Sequence, residues 1–171
     1  MEKDEFKIEA QEDLITVEGK HEVEEEEKNE SYHRKEFKTT SFAKEYGIKT
    51  LVGAWLGNDE EINEKEISGL IKLAKEGYVD IAAVGNEVMY RKDLTEDELL
   101  RFMHRVKKEI PDIPMGYVDA YYKFIEHPEL VEACDMILVN CYPFWEGYHI
   151  DQATIYLNHM YKVTKDIAKD K

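Results

Sequence analysis

The octet Val84-Gly85-Asn86-Glu87-Val88-Met89-Tyr90-Arg91 decides how this chain is interpreted. It overlaps the end of an apolar run that begins at Val79-Asp80-Ile81-Ala82-Ala83 and predicts a buried strand of a parallel sheet. Asn86 and Glu87 therefore fall where that strand ends, which is where parallel α/β barrels carry their chemistry. A carboxylate directly after a buried strand is costly to bury without a partner, so Glu87 indicates a functional site. An asparagine there can hold a sugar hydroxyl, and a glutamate can protonate a glycosidic oxygen.

The rest of the chain after residue 42 alternates short apolar strands with amphipathic helices. Strands are predicted over 48–56, 79–87, 114–120 and 136–140, and helices over 63–77, 95–110, 122–134 and 152–168. Thr95 followed by Glu98 predicts a capping box at the start of the second helix, and Pro128 interrupts the third. Since 171 residues are too few for a complete barrel of about 250, we predict an α/β fold, a partial (β/α)8 barrel of about four βα units.

The first 42 residues follow a pattern of period two, which predicts short β-strands. Apolar residues alternate with charged ones over 6–10, a β-branched run follows over 14–17, and alternation resumes over 32–42. The acidic block over 22–30 predicts a solvated loop. We therefore divide the chain into residues 1–42, a β fragment, and residues 43–171, the βα unit.

Composition excludes several classes of partner. The formal net charge of −15 argues against nucleic acids and anionic membranes, which would repel the chain. No run approaches the roughly 18 apolar residues of a membrane span, and the charged start is no signal peptide, so a cytoplasmic location is expected by default. The only cysteines, Cys134 and Cys141, have no metal-type spacing, and the six histidines are scattered, so no metal or cofactor is predicted.

The carboxyl ends of the parallel strands share one rim, and this rim collects aromatic and polar side chains. Flat aromatic rings stack on the apolar faces of pyranoses, while amide and carboxylate groups pair with sugar hydroxyls. Apart from Glu87, the candidate substrate-binding residues are Trp55, Asn86, Asp119, Tyr121, Asn140, Tyr142, Phe144 and Trp145. The alternative is that Trp55, Tyr142 and Trp145 only cover the end of the barrel.

From about residue 44 to 147 the chain resembles glycoside hydrolase family 17, a family of β-1,3-glucan-active enzymes. The resemblance lies in Tyr46-Gly47-Ile48-Lys49 to Trp55-Leu56-Gly57, the octet 84–91, Asp93-Leu94-Thr95, Gly116-Tyr117-Val118-Asp119-Ala120, His127-Pro128-Glu129-Leu130 and Asn140-Cys141-Tyr142-Pro143-Phe144-Trp145-Glu146-Gly147. It implies strands three to six of a (β/α)8 barrel and a β-glucan oligosaccharide as ligand. It further implies that Glu87 is the general acid/base, that Asn86 holds the sugar 2-hydroxyl and that Tyr142 lines a subsite.

The same resemblance implies a nucleophilic glutamate on a seventh strand, in a Glu-x-Gly-Trp-Pro-like context. Glu146 is the last glutamate of this sequence, and nothing after it resembles that motif. Retaining glycosidases need two carboxyls about 5–5.5 Å apart, so Asp119 or Glu146 would have to substitute. We therefore expect a catalytically incompetent relative that keeps the acid/base glutamate. The alternative is a weakly active glucan hydrolase or transglycosylase that uses Glu87.

The first forty or so residues resemble the middle of the α-crystallin domain of small heat-shock proteins. The matching runs are Phe6-Lys7-Ile8-Glu9-Ala10, Leu14-Ile15-Thr16-Val17-Glu18-Gly19-Lys20-His21-Glu22, Tyr32-His33-Arg34-Lys35-Glu36-Phe37 and Ser41-Phe42. Two partial family matches joined without a linker predict a recombined or engineered chimera. A second alternative function follows, an oligomerising chaperone module. The open edges of a half barrel also predict self-association.

Overall fold

A computed structural model of the chain describes residues 6–11, 14–19 and 39–169. The contacts divide it into two units, Met1–Glu36 and Phe37–Lys171, whereas the sequence places the boundary after Phe42. In the first unit β1 (Phe6–Gln11) and β2 (Leu14–Gly19) form an antiparallel hairpin, which confirms the two short strands. The predicted acidic loop over 22–30 lies outside the described residues.

The described part of the second unit begins within a helix, α1, of which residues 39–45 are described. The extended pattern predicted over 32–42 is therefore wrong for its last four residues, and residues 32–38 lie outside the described part. Lys44 on this helix donates a hydrogen bond of 2.8 Å to the carbonyl of Gly77, and its ammonium lies 5.2 Å from the ring centroid of Tyr78. Such tertiary contacts override a local strand preference.

Four strands in chain order form one parallel sheet, which confirms the partial (β/α)8 barrel. They are β3 (Leu51–Ala54), β4 (Ile81–Asn86), β5 (Met115–Ala120) and β6 (Met136–Asn140). The helices between and after them are α2 (Glu60–Lys75), α3 (Val88–Arg91), α4 (Glu96–Glu109), α5 (Lys123–Glu126), α6 (Pro128–Ala133) and α7 (Ile150–Ala168). No helix among the described residues is long and apolar enough to cross a membrane.

Strand β3 is shorter than the sequence predicts because side chains take over the hydrogen bonds of its flanks. Before the strand, the N–H of Thr50 donates to the carboxylate of Asp80 at 2.8 Å. After it, the N–H of Trp55 donates to Glu66 at 3.1 Å. Residue Gly57 exchanges two hydrogen bonds with the side-chain amide of Asn63, at 2.8 and 2.7 Å. The end of β3 is thereby fastened to α2.

Local sequence signals set the helix boundaries. Asp59 caps α2 by accepting from the N–H groups of two residues in its first turn. Thr95 and Glu98 form the predicted capping box at the start of α4. Pro128 ends the preceding helical segment and opens α6 at its first position, where its missing N–H costs nothing.

The hydrophobic core lies between the sheet and the helices α2 and α4. Burial alternates along β3, while β4 and β5 are buried over most of their length, and the helices contribute apolar residues at helical spacing. The principal members are Val52, Ala54, Ala82, Val84, Met115 and Tyr117 from the sheet, and Ile67, Leu70, Leu99, Phe102, Met103 and Val106 from the helices. This layer positions the carboxyl ends of all four strands on one rim.

We predict that Thr95→Ala lowers the free energy of unfolding by about 1 kcal/mol, because the first turn of α4 loses its cap. Thr154→Ala is the matched control, since Thr154 is exposed within α7 and alanine is the better helix former there. Urea unfolding measures both. Equal effects of the two substitutions would contradict the capping role.

Candidate functional site

The backbone of β4 is irregular just before Asn86 and Glu87. Its register against β5 shifts between Ala83 and Asn86, and Gly85 has φ of +82°. A Cβ at Gly85 would meet Cγ2 of Val88 at 2.8 Å, so only glycine fits there. Irregularities of this kind re-aim the side chains that follow them. The glycine of the octet therefore turns the end of β4 toward the rim.

Glu87 lies directly after β4 in a left-handed conformation, with φ of 55° and ψ of 31°. Its N–H donates to the carbonyl of Val118 at 2.8 Å, and its own carbonyl accepts from the N–H of Arg91 at 2.8 Å. A left-handed conformation costs a non-glycine residue on the order of 1–2 kcal/mol, so these backbone bonds have to hold it. The Glu87 side chain stays partly exposed at the rim.

A buried carboxylate fastens the helical turn that follows Glu87. Oδ2 of Asp119 accepts from the N–H groups of Met89 at 3.2 Å and Tyr90 at 3.3 Å, and also from the hydroxyl of Tyr117. Its Oδ1 accepts from the N–H of Ala120 at 2.7 Å. The Tyr117 hydroxyl accepts a further hydrogen bond of 3.0 Å from Met89. Asp119 and Tyr117 thus cap α3 from below.

Asp119 is fully buried, so the structure gives this predicted substrate-binding residue a positioning role beneath the rim. Burial raises the pKa of its carboxyl above the ordinary value, although the hydrogen bonds from Tyr117 and the backbone oppose that rise. Burial likewise raises the pKa of the Tyr117 phenol. The sequence shows both residue types but not which way they point.

Arg91 joins the ends of β3 and β4. Its guanidinium donates to the carbonyl of Leu56 at 2.8 Å and to the carbonyl of Asn86, and pairs with Asp93 at 2.6 Å. The same guanidinium lies 4.5 Å from the ring centroid of Trp55, which is 54% exposed. Arg91 therefore supports the Trp55 indole from one side and leaves the rest of the ring accessible. Sequence analysis missed this residue because its contacts cross between strands.

The structure brings three of the predicted residues, Asn86, Asn140 and Tyr142, together around the Glu87 carboxylate. Nδ2 of Asn140 donates to Oε1 of Glu87 at 2.9 Å and lies 3.4 Å from Oδ1 of Asn86. Burial, followed by the nearby Glu87 carboxylate, raises the pKa of the Tyr142 phenol. The last residues of β4 and β6 thus supply two amides to one cluster, and the residues just after these strands supply a carboxylate and a phenol.

A second cluster forms where β5, the loop after β6 and α7 meet. Tyr156 donates to Oε2 of Glu146 at 2.7 Å, and its hydroxyl lies 3.1 Å from that of Tyr121. The ring of Tyr148 stacks on that of Tyr156 at a centroid distance of 3.5 Å. Hydrogen bonds with Tyr121 and Glu146 raise the pKa of the Tyr156 phenol. Sequence analysis missed Tyr156 and Tyr148, since their helical spacing or loop position carries no functional signal.

The remaining predicted residues, Phe144 and Trp145, project into solvent, with exposed fractions of 79% and 80%. Their rings pack edge to face at 5.6 Å. Of the two carboxylates that could replace a nucleophile, Asp119 is buried under α3 and Glu146 is bonded to Tyr156. Among the described residues, no group of three or more histidine, cysteine or acidic side chains is arranged to hold a metal ion.

A partly exposed glutamate, two amides and exposed aromatic rings lie at the carboxyl end of a parallel βα sheet. The carboxyl end of a parallel βα sheet is where (β/α)8-barrel enzymes carry their chemistry. The family model of the BtgE/BtgC glycoside hydrolase domain matches residues 35–171, and the chain belongs to this family. Residues 1–52 are similar to the Hsp20/alpha crystallin family. Both resemblances found in the sequence are confirmed.

Curated relatives are fungal glucosidases. A glucan 1,3-beta-glucosidase of Arthroderma benhamiae is 35% identical over 117 residues, which cover 65% of this chain and 37% of the relative. A probable glucan endo-1,3-beta-glucosidase btgC of Aspergillus fumigatus is 30% identical over 119 residues, covering 62% of this chain and 17% of the relative. The chain thus spans little more than a third of the first relative's length.

Solved structures agree with this assignment. The glycoside hydrolase family 17 beta-1,3-glucanosyltransferase of Rhizomucor miehei superposes with a TM-score of 0.72 at 26% identity, over 81% of this chain and 53% of that one. An active-site mutant of the Rhizomucor miehei beta-1,3-glucanosyltransferase in complex with laminaritriose gives 0.69 at 27% identity, over 78% and 51%. The chain therefore carries about half of a family 17 fold.

We predict that Tyr117→Phe lowers the free energy of unfolding by about 1–3 kcal/mol, because Met89 and the buried Asp119 each lose a hydrogen bond. The loss is larger above the raised pKa of Asp119, where the carboxylate is charged and needs its donors most. Tyr161→Phe, at an exposed position of α7, is the control. Guanidinium unfolding at two pH values measures both variants, and an equal loss in each would contradict the capping role.

Proposed function

We propose that the chain is a self-associating β-1,3-glucan-binding module that descends from a glycoside hydrolase and does not turn glucan over by itself. The observation that carries this proposal is the Glu87 cluster, in which the carboxylate accepts a hydrogen bond of 2.9 Å from Asn140. The names of the relatives specify 1,3-beta-glucan, and one solved neighbour holds laminaritriose. These names support a β-1,3-linked oligosaccharide as the ligand of the cluster.

Each rim residue has a task in this proposal. The Trp55 indole offers an accessible ring, held by Arg91, on which a pyranose can stack. Asn86 and Asn140 supply amide donors and acceptors for sugar hydroxyls, and the Tyr142 phenol, which is 40% exposed, adds a donor. Outside this cluster, Tyr121, Phe144 and Trp145 extend the aromatic surface for longer glucans.

The proposed lack of turnover follows from how the carboxylates are used. Retaining hydrolysis needs a nucleophilic carboxylate about 5–5.5 Å from the acid/base group. The Asp119 carboxylate is buried and accepts hydrogen bonds from the first turn of α3, and Glu146 is hydrogen-bonded to Tyr156. The proposed acid/base, Glu87, accepts a hydrogen bond from the side-chain amide of Asn140. An acid/base without a nucleophile can bind the glycosidic bond but cannot complete its cleavage.

A weakly active hydrolase or transglycosylase is the second candidate, and the partly exposed Glu87 favours it. This activity requires a second carboxylate from outside the cluster, for example from another copy of the chain.

The net charge of −15 is the reason that we propose no nucleic-acid or anionic-membrane partner.

The match of residues 1–52 to the Hsp20 family favours a third candidate, a chaperone-like module within a chimeric protein. A recombined or engineered origin accounts for two family matches that overlap only at residues 35–52. This candidate predicts that the intact chain suppresses the thermal aggregation of a client such as citrate synthase. Residues 43–171 alone would then give no suppression, and equal suppression by both would exclude the α-crystallin-like segment as its source.

We predict saturable binding of laminari-oligosaccharides, weakened about tenfold by Trp55→Ala, since a stacking surface is lost. Tyr161→Ala, an exposed aromatic on α7, is the matched control and binds as the wild type does. Isothermal titration calorimetry measures all three proteins.

The same samples are assayed for release of reducing sugar, with Glu87→Gln alongside the wild type. We expect none from either protein, and retained binding in both. Turnover that is present in the wild type and absent in Glu87→Gln would establish the hydrolase instead. Absence of binding together with absence of turnover would refute the glucan-binding role.

A further inference from the structure

The sheet has two faces, and only one of them is covered by the α2 and α4 helices. Residues that alternate with the core positions form the other face, in rows given by the strand register, with Gly53 beside Ala83, Ala83 beside Gly116, and Gly116 beside Met136. We call it the inner face; its eight residues are Leu51, Gly53, Ile81, Ala83, Gly116, Val118, Met136 and Leu138.

The inner face is apolar and accessible. None of its residues is charged, although charged residues make up 36% of the chain. Leu51 is 52% exposed, Gly53 is exposed, and Ile81, Val118, Met136 and Leu138 are partly exposed, whereas the small residues Ala83 and Gly116 between them are buried. A contiguous uncharged surface in so acidic a protein marks an interaction surface. The partner that fits it must be apolar where it touches the sheet.

The two edges of the sheet set a second requirement: the partner must offer strands that can pair with them. Within the described part of the chain, β3 pairs only with β4, and β6 pairs only with β5. The outer edges of β3 and β6 thus carry backbone N–H and C=O groups that a further strand can bind. All four strands run parallel, so the β6 edge of one copy is complementary to the β3 edge of another.

We propose that two copies of the chain close into one eight-stranded parallel ring, with β6 of each copy paired to β3 of the other. Four strands are half of a (β/α)8 barrel, and the sheet superposes on a family 17 enzyme over 53% of that chain, so it carries the barrel's curvature. A twofold axis through the centre of the ring pairs both open edges at once and buries the two inner faces against each other.

This inference deepens the self-association part of the proposed function and is independent of glucan binding. Because the twofold axis coincides with the barrel axis, the strands of both copies run in the same direction. Both copies therefore present their Glu87 on the same rim. The ring therefore offers two carboxylates at one opening, where the single copy offers one.

Charge sets how the ring responds to salt. Each copy carries a formal charge of −15, and none of that charge lies on the inner face. Association therefore brings two like-charged bodies together through an uncharged surface. Added salt screens the repulsion, so the dimer becomes tighter as ionic strength rises. A basic partner bound by charge attraction would show the opposite dependence.

Sedimentation velocity of the full chain, over a range of concentrations and salt, tests the ring. We expect a species of twice 20.1 kDa whose dissociation constant falls with added salt. Leu51→Lys places an ammonium on the inner face and weakens the dimer by about a hundredfold or more. Leu51 is half exposed in the single chain, so this variant still folds; Leu138→Lys is the second variant. His104→Lys, at an exposed position of α4, which packs on the two central strands β4 and β5, also adds an ammonium but leaves the dimer intact.

Amide hydrogen exchange identifies the surface that is buried. In the ring, the amides of β3 and β6 gain protection at dimer-forming concentrations, while those of α4, over the central strands, do not. A dimer that survives Leu51→Lys and Leu138→Lys, or that protects α4 instead, would overturn the ring while leaving self-association. A monomer at every concentration and salt would overturn both.

Discussion

The site depends on one buried carboxylate, that of Asp119. Its Oδ2 accepts hydrogen bonds from the N–H groups of Met89 and Tyr90 and from the Tyr117 hydroxyl, and the two backbone bonds fix the first turn of α3. Glu87 precedes that turn in a left-handed conformation that its own side chain does nothing to favour. Without these hydrogen bonds, the left-handed conformation that directs Glu87 toward the rim would be less stable. Asp119 on β5 thus positions the Glu87 carboxylate at the end of the neighbouring strand, β4.

The rim behaves as one hydrogen-bonded system across all four strands. Arg91 bonds the carbonyl of Leu56 after β3 and that of Asn86 on β4, while Asn140 on β6 reaches the Glu87 carboxylate. Asp119 contributes from β5. Asp119 and Glu146, the carboxylates that could replace a nucleophile, are both hydrogen-bonded to other protein groups, whereas Asn86 and Asn140 keep donor and acceptor capacity for sugar hydroxyls. This is the physical reason to propose glucan binding in preference to turnover.

The sequence predicts most of the fold and part of the site. Strand and helix periodicity, the Thr95 capping box and the position of Glu87 at a strand end all follow from local patterns, and the structure confirms them. The direction of a side chain does not follow, which is why Asp119 was expected at the rim and lies beneath it. Contacts between distant segments, such as Arg91 on Leu56 or the helix over 39–45, depend on packing that no local pattern encodes.

The central claim is that this rim holds a β-1,3-glucan without cleaving it. The chain has two tryptophans, Trp55 on the rim and Trp145 in solvent, so their indole N–H resonances can be told apart with Trp145→Ala. A titration with laminaritriose followed by NMR reports binding and cleavage in one tube. We expect a saturable shift of the Trp55 indole resonance and unchanged reducing-end signals over a day. An unshifted Trp55, or growing signals of new reducing ends, would contradict the claim.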